Sequence, residues 1–197
     1  MENKNEWNLR DYEKTLKEVS YDKNNKKYMT ESQIRIICFD DFVTKKYVPK
    51  CKLKATLSSN DALYCFEEDR YIFIEFKNGK DIKSNEIKFK ILNSLLILCD
   101  INNINVSDTR SEMEFILVYN SVRKPITETE INQYKKDKND IIIESGSKDY
   151  ICKHISKKAN TEYRRFGLSA YVGLYFKDVH TYDIEEFKSW LVKSEFF

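Results

Sequence analysis

The run Tyr71-Ile72-Phe73-Ile74-Glu75-Phe76-Lys77 constrains this chain more than any other stretch. It is β-branched and aromatic, as a buried strand requires, yet one acid stands among the large apolar residues. Burying an ionised carboxylate without a partner is costly, so Glu75 needs a positive neighbour. Lys77 is one, because residues i and i+2 of a strand point to the same face. Upstream, Asp61 opens a second apolar run, Ala62 to Phe66, and only Glu67-Glu68-Asp69-Arg70 separates the two. That polar cluster reads as a turn, so the runs fold back as a hairpin and bring Asp61 beside Glu75. Two carboxylates and a lysine at one strand end make a candidate divalent-metal site. A blander reading, acids that only cap and pair at a strand end, explains each residue singly but not the three together.

The pattern Asp61, hairpin, Glu75-x-Lys77, in the strings SNDAL and FIEFKNG, resembles the PD-(D/E)XK nuclease superfamily. Asn60 stands where that pattern has proline. The resemblance spans roughly residues 30 to 120. It implies an α/β fold with a restriction-endonuclease-like mixed β-sheet core flanked by helices, here with extra C-terminal helices and a strand. It also implies Mg2+ (or Mn2+)-dependent hydrolysis of phosphodiester bonds in DNA or RNA. On this reading Asp61 and Glu75 are the metal ligands. Lys77 orients a metal-bound water or stabilises charge on the phosphorane-like transition state. In the family a helix before the hairpin often supplies a further acid, and Glu31 is the residue carried over, with Asp40 and Asp41 as competitors. A polar residue of the crossover helix often faces the same centre, a position suited to Lys90 or, one turn earlier, Glu86. The candidate catalytic set is therefore Asp61, Glu75, Lys77, Glu31 and Lys90. Glu31 has a competing role as a favourable charge in a helix's first turn.

The flanking pattern supplies the rest of an α/β core. Leu9, Tyr12, Leu16 and Val19 follow helical spacing and predict a short N-terminal helix. Thr30 and Gln33 form a capping-box pattern ahead of an apolar stripe through Ile34, Ile37, Cys38 and Phe42, predicting a second helix that ends before Pro49. Cys51 to Leu57 alternates and predicts a first strand. Asn78-Gly79 is a tight-turn signal that ends the second hairpin strand just past Lys77. Ile82 to Asn102 is helical and largely apolar after residue 90. Glu114 to Asn120 reads as a strand covered on both faces. Further helices are predicted over Thr127–Lys138 and Ser147–Lys158, and a strand over Tyr171–Lys177. A last helix is capped by Asp183 with Glu186 at its third position and a Tyr182–Phe187 staple. The organisation expected is one domain: an N-terminal arm at 1–28, the core at 29–122 and an extension at 123–197 packed on it.

Composition bears on partners. With 34 Lys+Arg against 32 Asp+Glu the net charge is +2, too balanced to announce nucleic-acid binding by itself. Basic clusters at 45–54, 135–138, 153–158 and Arg164-Arg165 are candidates for a phosphate-facing rim, and otherwise solvated surface. Tyr163 and Phe166 beside Arg164-Arg165 are candidates for base stacking. The five cysteines are scattered, with no C-x-x-C, and read as buried thiols in a reducing compartment. No leader-like apolar segment opens the sequence and no run is long enough to span a bilayer, so a cytoplasmic protein without a membrane partner is expected. His154 and His180 lack metal-ligand spacing, and the four glycines share no phosphate-loop spacing. The rival to a nuclease is a non-catalytic protein-binding module, of immunity or regulatory type, on the same scaffold. The sequence leaves the oligomeric state open.

Overall fold

A computed structural model describes residues 7–65, 71–130 and 164–194. Its centre is a six-stranded mixed sheet with helices on both faces. The strands are β1 (Glu13–Thr15), β4 (Arg35–Cys38), β5 (Ala62–Cys65), β6 (Tyr71–Lys77), β7 (Met113–Tyr119) and β8 (Asp178–Asp183), and they lie in that order across the sheet. A small hairpin of β2 (Tyr21–Asp22) and β3 (Lys27–Tyr28) stands apart from it. The pairs β1–β4, β4–β5 and β5–β6 are antiparallel, whereas β6–β7 and β7–β8 are parallel.

The parallel half needs crossovers, and the first is helical. Helix α4 (Ser84–Asn102) leaves the end of β6, and α5 (Val106–Glu112) leads into β7. Asn103 ends α4 in the left-handed conformation, with φ 53°, and donates its backbone N–H to Cys99. Every residue of β7 is buried, as expected for a strand flanked by parallel neighbours and covered on both faces.

Period-2 alternation sorts the side chains of β6 into two cores. Phe73 joins Phe39, Leu63, Ile87, Ile91, Leu95, Phe115 and Leu117 beneath α4. Ile72 and Ile74 join Leu16, Ile36, Ala62, Ile116, Phe187 and Leu191 beneath the last helix, α6 (Ile184–Lys193). Asp183 caps α6, accepting from the N–H groups of Glu185 and Glu186, while Glu186 accepts from the Asp183 N–H. This is the capping box expected from the sequence.

Several expectations are corrected. The N-terminal segment is not one helix: a 3-10 turn at Leu9–Tyr12 is followed by β1 and by the single turn α1 (Leu16–Val19), which Thr15 caps. The stripe from Ile34 to Phe42 is strand first and helix second. Ile36 packs under α6 and Ile37 under α4, a period-2 pattern that a short apolar run does not distinguish from a helical one. Helical structure starts only at α2 (Phe39–Phe42), runs through a π-helical turn at Val43–Tyr47, and ends in α3 (Val48–Lys50), which contains Pro49. Residues 51–57 form no strand, because β5 pairs directly with β4 (Cys38 opposite Ala62) and leaves them as an exposed link. The predicted strand over Tyr171–Lys177 is a turn. Gly173 sits at φ +71° and donates its N–H to Phe176 O at 2.8 Å, and the strand begins only at Asp178. The helix over Ser147–Lys158, and that over Thr127–Lys138 beyond Glu130, lie outside the described residues. No helix among the described residues is long and apolar enough to cross a membrane.

Candidate functional site

The antiparallel register places Ala62 opposite Ile74, so one further step sets Asp61 beside Glu75. The contacts agree. Asp61 Oδ2 accepts the backbone N–H of Phe76 at 2.7 Å, which aims the carboxylate across the strand pair. Glu75 points to the α4 side, sharing the parity of Phe73, and is fully buried. Lys77, two residues on, brings its Nζ within 2.7 Å of Glu75 Oε1.

The fourth member comes from the covering helix. Ile87 and Ile91 of α4 pack onto the sheet, and Lys90, three residues after Ile87, is its neighbour on that side of the helix. Its ammonium stands 3.1 Å from Asp61 Oδ1, 2.8 Å from Glu75 Oε1 and 3.1 Å from Glu75 Oε2. Two carboxylates and two ammonium groups thus form one compact set. Glu75 Oε1 is shared by both lysines at ion-pair distance but lacks a well-directed hydrogen bond. Crowding of this kind leaves the charges unevenly satisfied. Burial, and next the Asp61 carboxylate, push the Glu75 carboxyl up to about 7 against the pull of Lys90 and Lys77. For Lys90, burial opposes the charge, but Asp61 and Glu75 outweigh it and raise its pKa above the usual lysine value.

The set lies at the wall of a cleft of about 470 Å³. Asp61 and Lys77 line it, while Glu75 is sealed beneath them. Across the cleft are Asp40 and Asp41 at the start of α2, Lys14 of β1, and the β2–β3 turn. Five carboxylates (Glu18, Asp22, Asp40, Asp41 and Asp61) face three lysines (Lys14, Lys23 and Lys77), so the cleft is acidic. Asp41 is engaged by Lys14 at 2.6 Å and Lys45 at 2.8 Å, and Asp40 accepts from Ser59 Oγ at 2.9 Å.

The structure thus brings together Asp61, Glu75, Lys77 and Lys90, and does not bring Glu31 to them. Glu31 is an exposed side chain paired with Lys17 at 2.6 Å. The helix it was expected to open is a strand beginning at Arg35. Glu86 is exposed and paired with Lys83. Of the base-stacking candidates, Phe166 is half-buried against the Arg165 guanidinium, and Arg165 itself is buried, clamped on Glu130 and stacked over Tyr119 as well. Arg164 pairs with Asp178. Tyr163 and the basic stretches at 135–138 and 153–158 fall outside the described residues.

Sequence reasoning did not find the polar tie at the strand ends. β6 and β7 end in register (Lys77 opposite Tyr119), and each is followed by an asparagine. Asn120 Nδ2 donates to Asn78 Oδ1 at 2.7 Å, and Asn78 Nδ2 donates to Asp22 Oδ2 at 2.8 Å. Asp22 also receives the N–H groups of Asn24 and Asn25. This chain seats the β2–β3 turn against the end of β6, beside Lys77. The signal was the asparagine following each of two apolar strands.

The donor chemistry suits a divalent cation. Asp61 Oδ1 and both Glu75 oxygens converge on one positive centre, the Lys90 ammonium, and carboxylate oxygens are what Mg2+ takes. Among the described residues no group of three or more His, Cys, Asp or Glu side chains is arranged to hold a metal. No protein-family model matches the chain, and neither the curated proteins nor the solved structures yield a match.

Proposed function

We propose that this protein is a divalent-metal-dependent nuclease of restriction-endonuclease-like fold, hydrolysing phosphodiester bonds of DNA or RNA. The observation that carries the reading is the convergence of Asp61, just before β5, with Glu75 and Lys77 of β6 and Lys90 of α4 on one centre at a cleft wall. The element order supports it as well: an antiparallel hairpin, then a crossover helix, then a strand parallel to the second hairpin strand.

In this reading Asp61 and Glu75 hold Mg2+ or Mn2+, which when bound polarises the phosphate and acidifies a coordinated water. The chain's own residues do the rest. The Phe76 N–H fixes the Asp61 carboxylate toward the centre. Lys77, with its side chain 22% exposed at the cleft, places positive charge where the phosphate oxygens gain negative charge. Burial of Glu75 keeps bulk water from one side of the site. An acidic cleft repels a polyanion by itself, so substrate binding here depends on the cation.

A second reading is favoured by one observation: the two carboxylates are already neutralised by two ammonium groups. A scaffold of this kind is stable without metal and serves equally as a protein-binding module. Purified protein incubated with DNA and RNA in Mg2+ or Mn2+ separates the two. Cleavage that disappears in Glu75→Gln supports the nuclease. Absence of cleavage of either nucleic acid, with no effect of Mn2+ on the melting temperature, rejects it in favour of the binding module.

A further inference from the structure

Resting on the nuclease reading, we propose that Lys90 is a displaceable internal cation: the divalent metal takes its place between Asp61 and Glu75, and the freed ammonium then serves the substrate phosphate.

With all four ionised, Asp61, Glu75, Lys77 and Lys90 sum to zero charge, and their side chains are only 0–24% exposed. Lys90 Nζ is 3.1 Å from Asp61 Oδ1 and 2.8 Å from Glu75 Oε1, a spacing at which it is the shared counter-ion of both carboxylates. A divalent ion bound to the same oxygens would stand within about the same distance of that ammonium, in a poorly solvated site where like charges repel strongly. Metal and ammonium therefore exclude one another. Lys90 is the group that can move. It reaches the set on a flexible four-carbon stem from α4, and its side chain keeps 20% exposure. Glu75 is fixed within β6 and fully buried.

Two consequences follow. Metal binding without substrate is weak, because the ion must displace a partner already in place. A phosphodiester strengthens it, because the anion offsets the added charge and accepts the displaced ammonium. By linkage, metal strengthens phosphodiester binding by the same factor.

The test uses the full-length protein. Mn2+ alone is titrated against wild type, Lys90→Met and the double variant Asp61→Asn/Lys90→Met, with free Mn2+ read by electron paramagnetic resonance. Lys90→Met is expected to bind Mn2+ about tenfold tighter or more, with the gain lost in the double variant. Equal or weaker binding by folded Lys90→Met overturns the proposal. A second measurement needs no variant. Acylation of lysines in the wild type, read by mass spectrometry, should label Lys90 several-fold faster with saturating Mn2+ than without it. An unchanged Lys90 rate overturns the proposal even if Lys90→Met does not fold. A short single-stranded oligonucleotide should tighten Mn2+ binding more in wild type than in Lys90→Met; equal tightening removes the phosphate role. Failure here is distinct from failure of the nuclease reading. Cleavage that depends on Glu75, without displacement of Lys90, sinks only the placeholder. Displacement without cleavage sinks only the nuclease.

Discussion

Two ion-paired clusters in this protein are each built on one fully buried charged side chain, Glu75 or Arg165, and they differ in how their charges are satisfied. Arg165 is only 2% exposed, yet its guanidinium is fully occupied. Nε donates to Glu130 Oε1 at 3.1 Å, and Nη2 reaches both Glu130 oxygens at 2.9 Å. Nη1 and Nη2 also donate to the backbone carbonyls of Lys124 and Pro125, at 2.9 and 3.3 Å. Tyr119 and Phe166 lie against the guanidinium plane. The Glu130 carboxyl is held below its usual value: burial opposes this, but the Thr127 N–H and Arg165 outweigh it. In the set around Glu75, burial and next the Asp61 carboxylate outweigh the pull of the two ammonium groups, so the Glu75 carboxyl is raised instead. The first arrangement ties the segment after β7 to the segment before β8, and nothing about it invites a ligand. The second keeps unresolved electrostatic tension at a cleft wall, where perturbed groups mark chemistry. Complete satisfaction reads as structure and incomplete satisfaction as function.

Four measurements test these roles. The largest effect is expected from Glu75→Gln, which should lower the proposed nuclease activity by about a thousandfold, near 4 kcal/mol of transition-state stabilisation, without loss of the cooperative unfolding transition. Retained activity would remove Glu75 from the chemistry. Next, Arg165→Met should cost about 3 kcal/mol in urea denaturation, because it strands Glu130 and two backbone carbonyls, while activity per folded molecule is preserved. A loss below about 1 kcal/mol would mean the clamp is not structural.

The third measurement is pH dependence. The folded-state pKa of Glu75, about 7, lies above the ordinary glutamate value of 4.5. Between those values the unfolded chain has released this proton and the folded chain still holds it. The contribution of Glu75 to stability therefore falls as pH rises from about 4.5 to about 7, by on the order of 2–3 kcal/mol, and is flat outside that window. Wild type minus Glu75→Gln, measured by denaturation across pH 4 to 8, should show this slope, and parallel curves would contradict it. The Glu130 contribution has the opposite sign: its carboxyl is lowered, so its stabilisation is present above the unfolded value and is lost as pH falls through the lowered folded one. The smallest effect is at α6. Asp183→Ala removes the cap and should cost about 1 kcal/mol, seen as a shifted urea midpoint with unchanged activity.

Much of the site was legible because its logic is local. Glu75 and Lys77 share a face by strand parity, and the polar turn between two apolar runs brings Asp61 alongside, so three residues follow from period 2 and one hairpin. Lys90 was legible as a polar residue of the crossover helix, but its choice over Glu86 depended on which side of α4 meets the sheet. Glu31 and the Arg164-Arg165 pair were misplaced for the same reason in reverse. Short apolar runs such as Ile34 to Cys38 suit either period, and a basic pair next to aromatics looks the same whether it faces solvent or the core.

The sequence by itself determined that a carboxylate would be buried in β6, that a lysine and an aspartate would share its face, and that a helix and a largely apolar strand would follow. Those outcomes depend on backbone periodicity and on the cost of burying charge, which act within a few residues. Tertiary structure alone decided which cation lies between the carboxylates, which acids line the cleft and which arginine is sealed away. Those outcomes depend on how α4 and the segments flanking β7 and β8 pack across the sheet, where partners far apart in sequence meet and their desolvation is shared.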